Sequence, residues 1–452
     1  MPAIHPFRAL QFSKGLGDVS AVIAPPYDVL DLRGKQTLLA KDPRNIVAID
    51  LPLVPAKELG PDAAYTSAGN TLRSAVAAGH LSRRDKPAIF AYRQTFTMHA
   101  RQYQRCGVAC TLDLVPFGPR AGGGILPHEQ TFSGPKEDRM ALMKATKAQL
   151  SPIFGLHPDD KGVATSLVRR VMNSRAPDMH AVSPLDNVKH EVWTIDDAPT
   201  LAAYADALAG EDVFIADGHH RYTTALSYLQ ALGPIPTDHP ARRCMFVLVS
   251  MSDPGLVIGP THRVLGGMKD YTFEAFAAAT KNLLDIRPAP ADTGRLEEAM
   301  VTSAPTSIPG SHSNVFGLVD FKSGKNYVAT LVRPDPLQAR FPSKPKAWRE
   351  LDVAIIQHAL VEEICQPKLN SGEPVKWAFP HSIQEVVDIG KGLETGAGGG
   401  SGFAQIAVVV RPTPLDSVRA VSKANELMPQ KSTFFYPKLA TGLFINTVEE
   451  AS

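Results

Sequence analysis

EDVFIADGHHRYTTALSYLQ, residues 211–230, sets an acid, two adjacent histidines and an arginine directly behind an apolar run. The run VFIA reads as a buried strand, Asp217-Gly218 as the turn that ends it, and the residues from His219 as a helix. Such a strand–turn–helix points the helix's unbonded N–H groups at whatever lies beyond the strand, which favours an anion. Gly218 allows both the sharp turn and close approach of a ligand to the backbone. Asp217 is placed to cap the helix or to hold a divalent ion. Arg221, one turn in, suits a two-pronged contact with phosphate or carboxylate. Helical phase groups His219 with Tyr222, Leu226 and Leu229 on an inward face. It sets His220 about 100° away, with Thr224 and Ser227. One histidine is then free to meet a ligand while the other orients it or titrates. The plain alternative is a capped helix with solvated charges.

Around this element strands and helices alternate. A helix is expected within 61–81, stopping at Gly79, and two strands within 86–115 joined by a turn near His99. A glycine-rich loop precedes a helix from Ser133. Short strands at SPIFGL and EVWTI flank a helix at KGVATSLVRRVM, the helix APTLAAYADALAG follows, and RRCMFVLVSM is a buried strand. Further on come a helix at TFEAFAAATKNLL, strands in SNVFGLVDF and NYVATLV, one long helix AWRELDVAIIQHALVEEIC, and a glycine-rich connection at GLETGAGGGSGF. The expected fold is α/β (mixed α+β), a large two-lobed body with a motif-bearing region over 1–270 and a second α/β lobe over 271–452.

Bulk properties narrow the function classes. The 452 residues carry 44% hydrophobic and 20% charged side chains at a net charge of +2. That balance gives no footprint for nucleic acid or for an acidic membrane. The longest apolar run falls far short of the ~20 residues of a membrane helix. Four cysteines make no disulfide framework. Cys106 and Cys110, about 13 Å apart if extended, match neither a bridge nor a zinc pair. A soluble, cytoplasmic protein with reduced thiols and a small-molecule substrate is expected.

Other stretches supply partners. LPHEQTFSGPKEDR (126–139) offers His128 and Glu129, a base with its orienting group or metal ligands, together with Thr131. In PTHRVL (260–265), Thr261 and Arg263 are candidate phosphate donors, with His262 on the opposite side. In KSTFFYPK (431–438), Lys431 and Ser432 are the candidates and Lys438 stays open. APPYDVL (24–30) reads as a rigid turn projecting Tyr27 and Asp28, and His358 as a core histidine.

The string ADGHHRY resembles the hallmark of a bacterial family, the domain of unknown function 1015 family. FRAL…VIAPPYDVL, ILPHEQTFSGPKEDR, GPTHRVL and MPQKSTFFYPKLATGL extend the likeness from Pro6 to Leu443. This resemblance implies kinship and brings no activity. Asp-Gly-His-His-Arg is also similar, over about 15 residues, to the phosphate-binding motif of the ParB/sulfiredoxin-like free-serine kinases. That similarity implies a nucleotide, ATP or ADP with Mg2+, held at Gly218 and Arg221, to which Thr261, Arg263, Lys431 and Ser432 add further candidate phosphate contacts. Asp217, His219, His220, Glu129 and His128 are then candidate catalytic groups, and Asp217 a candidate metal ligand. A phosphotransferase acting on a hydroxylated metabolite such as serine is the leading expectation. A phosphatase or other metal-dependent hydrolase and a non-catalytic nucleotide-binding regulator of ParB-like type are the alternatives.

Overall fold

In the computed structural model the described residues are 1–13, 18–56, 58–98, 100–129, 133–303, 314–393 and 402–449. The turn expected at His99, Thr131 and the glycine connection at 394–401 lie outside them. The chain forms two compact units, Met1–Val257 with Phe435–Ser452, and Ile258–Phe434.

The first unit is built on a mixed sheet that, among the described residues, has nine strands. Its order runs Ile125–Leu126, Val213–Asp217, Ile153–His157, Arg243–Ser250, Arg101–Asp113, Ile89–Met98, Lys189–Ile195 and Met179–Val182, with Ile4–His5 also beside Arg101–Asp113. Val213–Asp217 runs parallel to Ile125–Leu126 and antiparallel to Ile153–His157. The β-branched and aromatic hairpin of 89–113 forms as its pattern predicts, with Phe90 opposite Ala109 and Met98 opposite Arg101. The expected helices are present at Asp62–Ala77, Ser133–Thr146, Val163–Ser174, Ala198–Ala207 and His219–Leu232. The apolar sides of the last four join Val108, Trp193, Tyr222 and Phe246 in one buried core. All four cysteines are free.

The second unit has, among the described residues, a six-stranded antiparallel sheet ordered Leu284–Pro288, Lys325–Leu331, Val315–Asp320, Ala404–Val409, Arg263–Gly266 and Lys376–Ala378. Residues alternate between its two faces: Leu318, Ile406 and Val408 enter one core, Val319, Ala407 and Val409 the other. The single long helix expected at 347–365 is not continuous. A short helix Lys346–Arg349 ends in a turn, Asp352–Ala354 restarts it, and Ile355–Cys365 winds as a π-helix. No described helix is long and apolar enough to cross a membrane.

Candidate functional site

The strand–turn–helix is present as read. A bulge between Ile215 and Asp217 breaks the register with Ile153–His157 and re-aims the last residue of the strand. Gly218 then turns with φ +97, a left-handed conformation costly for any residue with a Cβ. A Cβ there would lie 3.1 Å from the Arg221 Cζ, so the guanidinium rests against the bare glycine. The Tyr222 N–H closes the first helical turn on the Gly218 carbonyl at 3.0 Å, and the N–H groups ahead of it point out of the helix start.

Asp217 does not cap this helix. Gly218 holds the cap position without a side-chain bond. The Asp217 carboxylate is instead spanned by two cations: Arg221 NH2 donates to Oδ2, and Lys438 Nζ donates to Oδ1. Burial pushes the Asp217 carboxyl up. The Lys438 ammonium and the Arg221 guanidinium outweigh that and hold it well below the usual carboxylate range. All three side chains stay slightly accessible, Asp217 at 13%, Arg221 at 12% and Lys438 at 17%. Two cations thus meet one carboxylate beside a helix N-terminus. Arg221 NH1 also donates to the Pro152 carbonyl, which fixes the plane of the guanidinium.

Lys438 is positioned from below. Arg105, buried in the sheet, donates NH1 to the Tyr436 carbonyl at 3.1 Å and NH2 to the Pro437 carbonyl at 2.5 Å. Gln94 donates to the carbonyl of Lys438 itself at 3.0 Å. Burial pushes the Arg105 pKa down to about 10, and its Cζ lies 4.5 Å from the centre of the Phe154 ring. Sequence reading missed Arg105, although a lone arginine beside the apolar GVACTLDL was the available signal.

His128 and His219 meet edge to face, ring centroids 4.7 Å apart. The His128 Nδ1 lies 2.9 Å from the Ile215 carbonyl, which only a protonated Nδ1 can satisfy. The His128 backbone N–H donates to His219 Nε2 at 3.3 Å, so that nitrogen is the unprotonated one. Burial drives the His128 pKa down to about 4 and pushes His219 well below its ordinary value. Both imidazoles are therefore neutral near pH 7. His220 and Glu129 are partly exposed. The inward face of the helix is His219, Tyr222, Ala225 and Tyr228, with Thr224 beside it. Leu226 and Leu229 are only half-buried, contrary to the phase expected for them.

On its other side Arg221 borders a partly open space of about 40 Å³, also lined by Tyr27, Asp50, Arg139, Ser151 and Thr224. It has room for roughly two or three waters and none for a metabolite. Arg139 donates to the Asp50 carbonyl at 2.7 Å and to Asp138 Oδ2 at 2.6 Å, while Tyr65 OH donates to Asp138 Oδ1 at 2.8 Å. Tyr27, from the proline turn, covers the Arg139 guanidinium at 4.0 Å from ring centre to Cζ, and Asp28 is exposed.

The remaining candidates lie in the second unit and meet one another there. Arg263, buried, donates to the carbonyls of Thr261 and Lys431, the latter at 3.0 Å. The Ser432 hydroxyl donates to the Pro429 carbonyl. The Thr261 hydroxyl lies 3.4 Å from His381 Nδ1. Among the described residues no group of three or more His, Cys, Asp or Glu is placed to hold a metal ion.

Three solved structures of low similarity align with most of the chain. A free serine kinase in complex with AMP does so at 13% identity and TM-score 0.32, covering 72% of this chain and 88% of that one. A mutant of a free serine kinase in complex with ADP gives 12% and 0.33, over 74% and 95%. A conserved hypothetical protein from Pyrococcus furiosus gives 13% and 0.30, over 73% and 98%. No curated protein matches the sequence. The family model described as Protein of unknown function (DUF1015) matches residues 4–354, and the chain belongs to that family.

Proposed function

We propose that the chain is a nucleotide-dependent phosphotransferase acting on a small hydroxylated metabolite, with a free amino acid such as serine as the candidate acceptor. The observation that carries this reading is the pair of cations, Arg221 and Lys438, held by Asp217 at the start of helix His219–Leu232. Phosphoryl transfer asks for positioning and charge neutralisation more than for covalent machinery. Asp217 holds both cations in place before any ligand arrives, so little reorganisation accompanies binding of ATP or ADP. In the transfer, the acceptor oxygen bonds to the terminal phosphorus as the bond to the nucleotide's bridging oxygen breaks. The hydroxyl proton passes to a base.

The titration environment sorts the candidate bases. His128 and His219 are held neutral by burial and are poor proton acceptors near pH 7. They fit better as rigid hydrogen-bonding walls. His220 or Glu129 is proposed to take the proton. Both Asp217 oxygens are engaged by cations, so the donor set does not suit a metal held by the protein through that carboxylate. Mg2+ would enter with the nucleotide as part of the substrate.

The test is transfer of labelled phosphate from ATP and from ADP, with Mg2+, to a panel of hydroxylated amino acids and sugars. Label is expected in one acceptor class, and Lys438→Gln should lower kcat/KM by at least tenfold while leaving the chain folded. Absence of transfer, together with no change in Tm on adding either nucleotide, would overturn the reading.

A further inference from the structure

At the other end of the nine-stranded sheet lies a cavity of about 490 Å³ that the phosphotransferase reading leaves unused. Its walls come from strand Leu81–Arg83 and the turn after it, and from the edge pair Met179–Val182 and Lys189–Ile195. Five interstrand steps separate Lys189–Ile195 from Val213–Asp217, so at ~4.8 Å each it lies roughly 24 Å from the Asp217 site.

Arg83, Arg84 and Lys86 line this cavity together with Asp85, Asp178 and Asp196. The acids match these cations in number but are committed unevenly. Asp178 is committed to the Thr194 N–H and to Arg175, each at 2.7 Å. Asp196 reaches Arg84 only at 3.7 Å, and Asp85 is exposed. Arg83 makes no ion pair among the described residues, and the buried Nε–H donors of Arg83 and Arg84 both lack an acceptor. Burial, and after it the charge of neighbouring Arg8, push the Arg83 pKa down. Two guanidiniums and an ammonium in the cavity wall, with Arg8 nearby, supply the positive charge and planar donor groups that phosphate oxygens match.

We propose that this cavity binds a small phosphate-bearing molecule, a phosphomonoester or diphosphate, at a site distinct from Asp217, Arg221 and Lys438. Its volume lies within the ~300–1,000 Å³ range of small-molecule sites. The proposal does not rest on the phosphotransferase reading.

The probe is inorganic pyrophosphate, followed by calorimetric titration and by Tm, with sulfate and citrate at matched ionic strength as comparison arms. The wild-type chain and Arg221→Gln should bind pyrophosphate at this site alike, and Arg83→Gln should weaken that binding at least tenfold. Ligand-free Arg83→Gln should melt no lower than wild type, because it relieves repulsion. Should it fail to fold, the double variant Arg8→Gln/Lys86→Gln, which changes exposed side chains, is expected to weaken pyrophosphate binding about tenfold. An unchanged affinity in that double variant, or in folded Arg83→Gln, would overturn the proposal, as would an equal response to all three anions. Loss of all pyrophosphate binding in Arg221→Gln alone would assign the ligand to the other site and overturn it too.

Discussion

Replacing Lys438 by glutamine removes one of the two cations that grip Asp217 and leaves Arg221 in place. At an effective dielectric of about 20, an opposite charge ~4 Å away is worth roughly 4 kcal/mol of Coulomb energy. Desolvation and ordering of the lysine return about half of that, leaving a net loss of about 2 kcal/mol. For a unit of this size the loss corresponds to a Tm about 4–8 °C lower. The pH dependence gives a sharper readout. The folded-state pKa of Asp217 lies below its unfolded value, so its stabilisation is complete above that unfolded value of about 3.9 and disappears as pH falls through the folded one. Urea unfolding should therefore show the full wild-type–variant difference at pH 7 and 5, closing only at the acid pH where the variant's Asp217 takes up its proton before the wild type's does. A difference under about 0.5 kcal/mol at pH 7 would refute the grip as described.

Gly218→Ala should cost about 1–2 kcal/mol in urea unfolding, because φ +97 and contact with the Arg221 guanidinium both oppose a Cβ. His128→Asn should flatten the acid limb of the stability profile. The lowered His128 pKa contributes stability that is complete above about 6.5 and falls by about 3 kcal/mol as pH drops to about 4. Tyr65→Phe removes the donor to Asp138 and the acceptor for the Gly60 N–H, and should lower stability by about 1–2 kcal/mol. Arg105→Lys should loosen the carbonyls of Tyr436 and Pro437 and weaken nucleotide binding with Lys438 still present, as read by calorimetry.

What the sequence disclosed was local. The run 213–217, the glycine and the helix behind it were legible because apolar periodicity and turn chemistry act within a few residues. The helix's own phase was harder. Thr224 and Tyr228 are buried because the neighbouring helix Ser133–Thr146 packs there, and Leu226 and Leu229 yield the inward face to them. Asp138 and Arg139, charged residues in the first turns of helix Ser133–Thr146, are buried, because Asp50 and Tyr65 supply partners from far along the chain. Lys438 stayed open for the same reason. No spacing rule ties an ammonium to a carboxylate 221 residues earlier. The long helix at 347–365 shows the opposite failure, where a clean helical pattern did not foresee the π-helical winding from Ile355.

The separation of Asp217 from Lys438 also bears on biosynthesis. Residues 258–434 intervene as a unit of their own, and the lysine belongs to the segment that returns afterwards. At about 5–20 residues per second, a ribosome needs roughly 10–45 s to travel from the aspartate codon to the lysine codon. Throughout that interval the nascent first unit carries Asp217 and Arg221 without their third member, so the cradle is assembled only after the intervening unit has been synthesised.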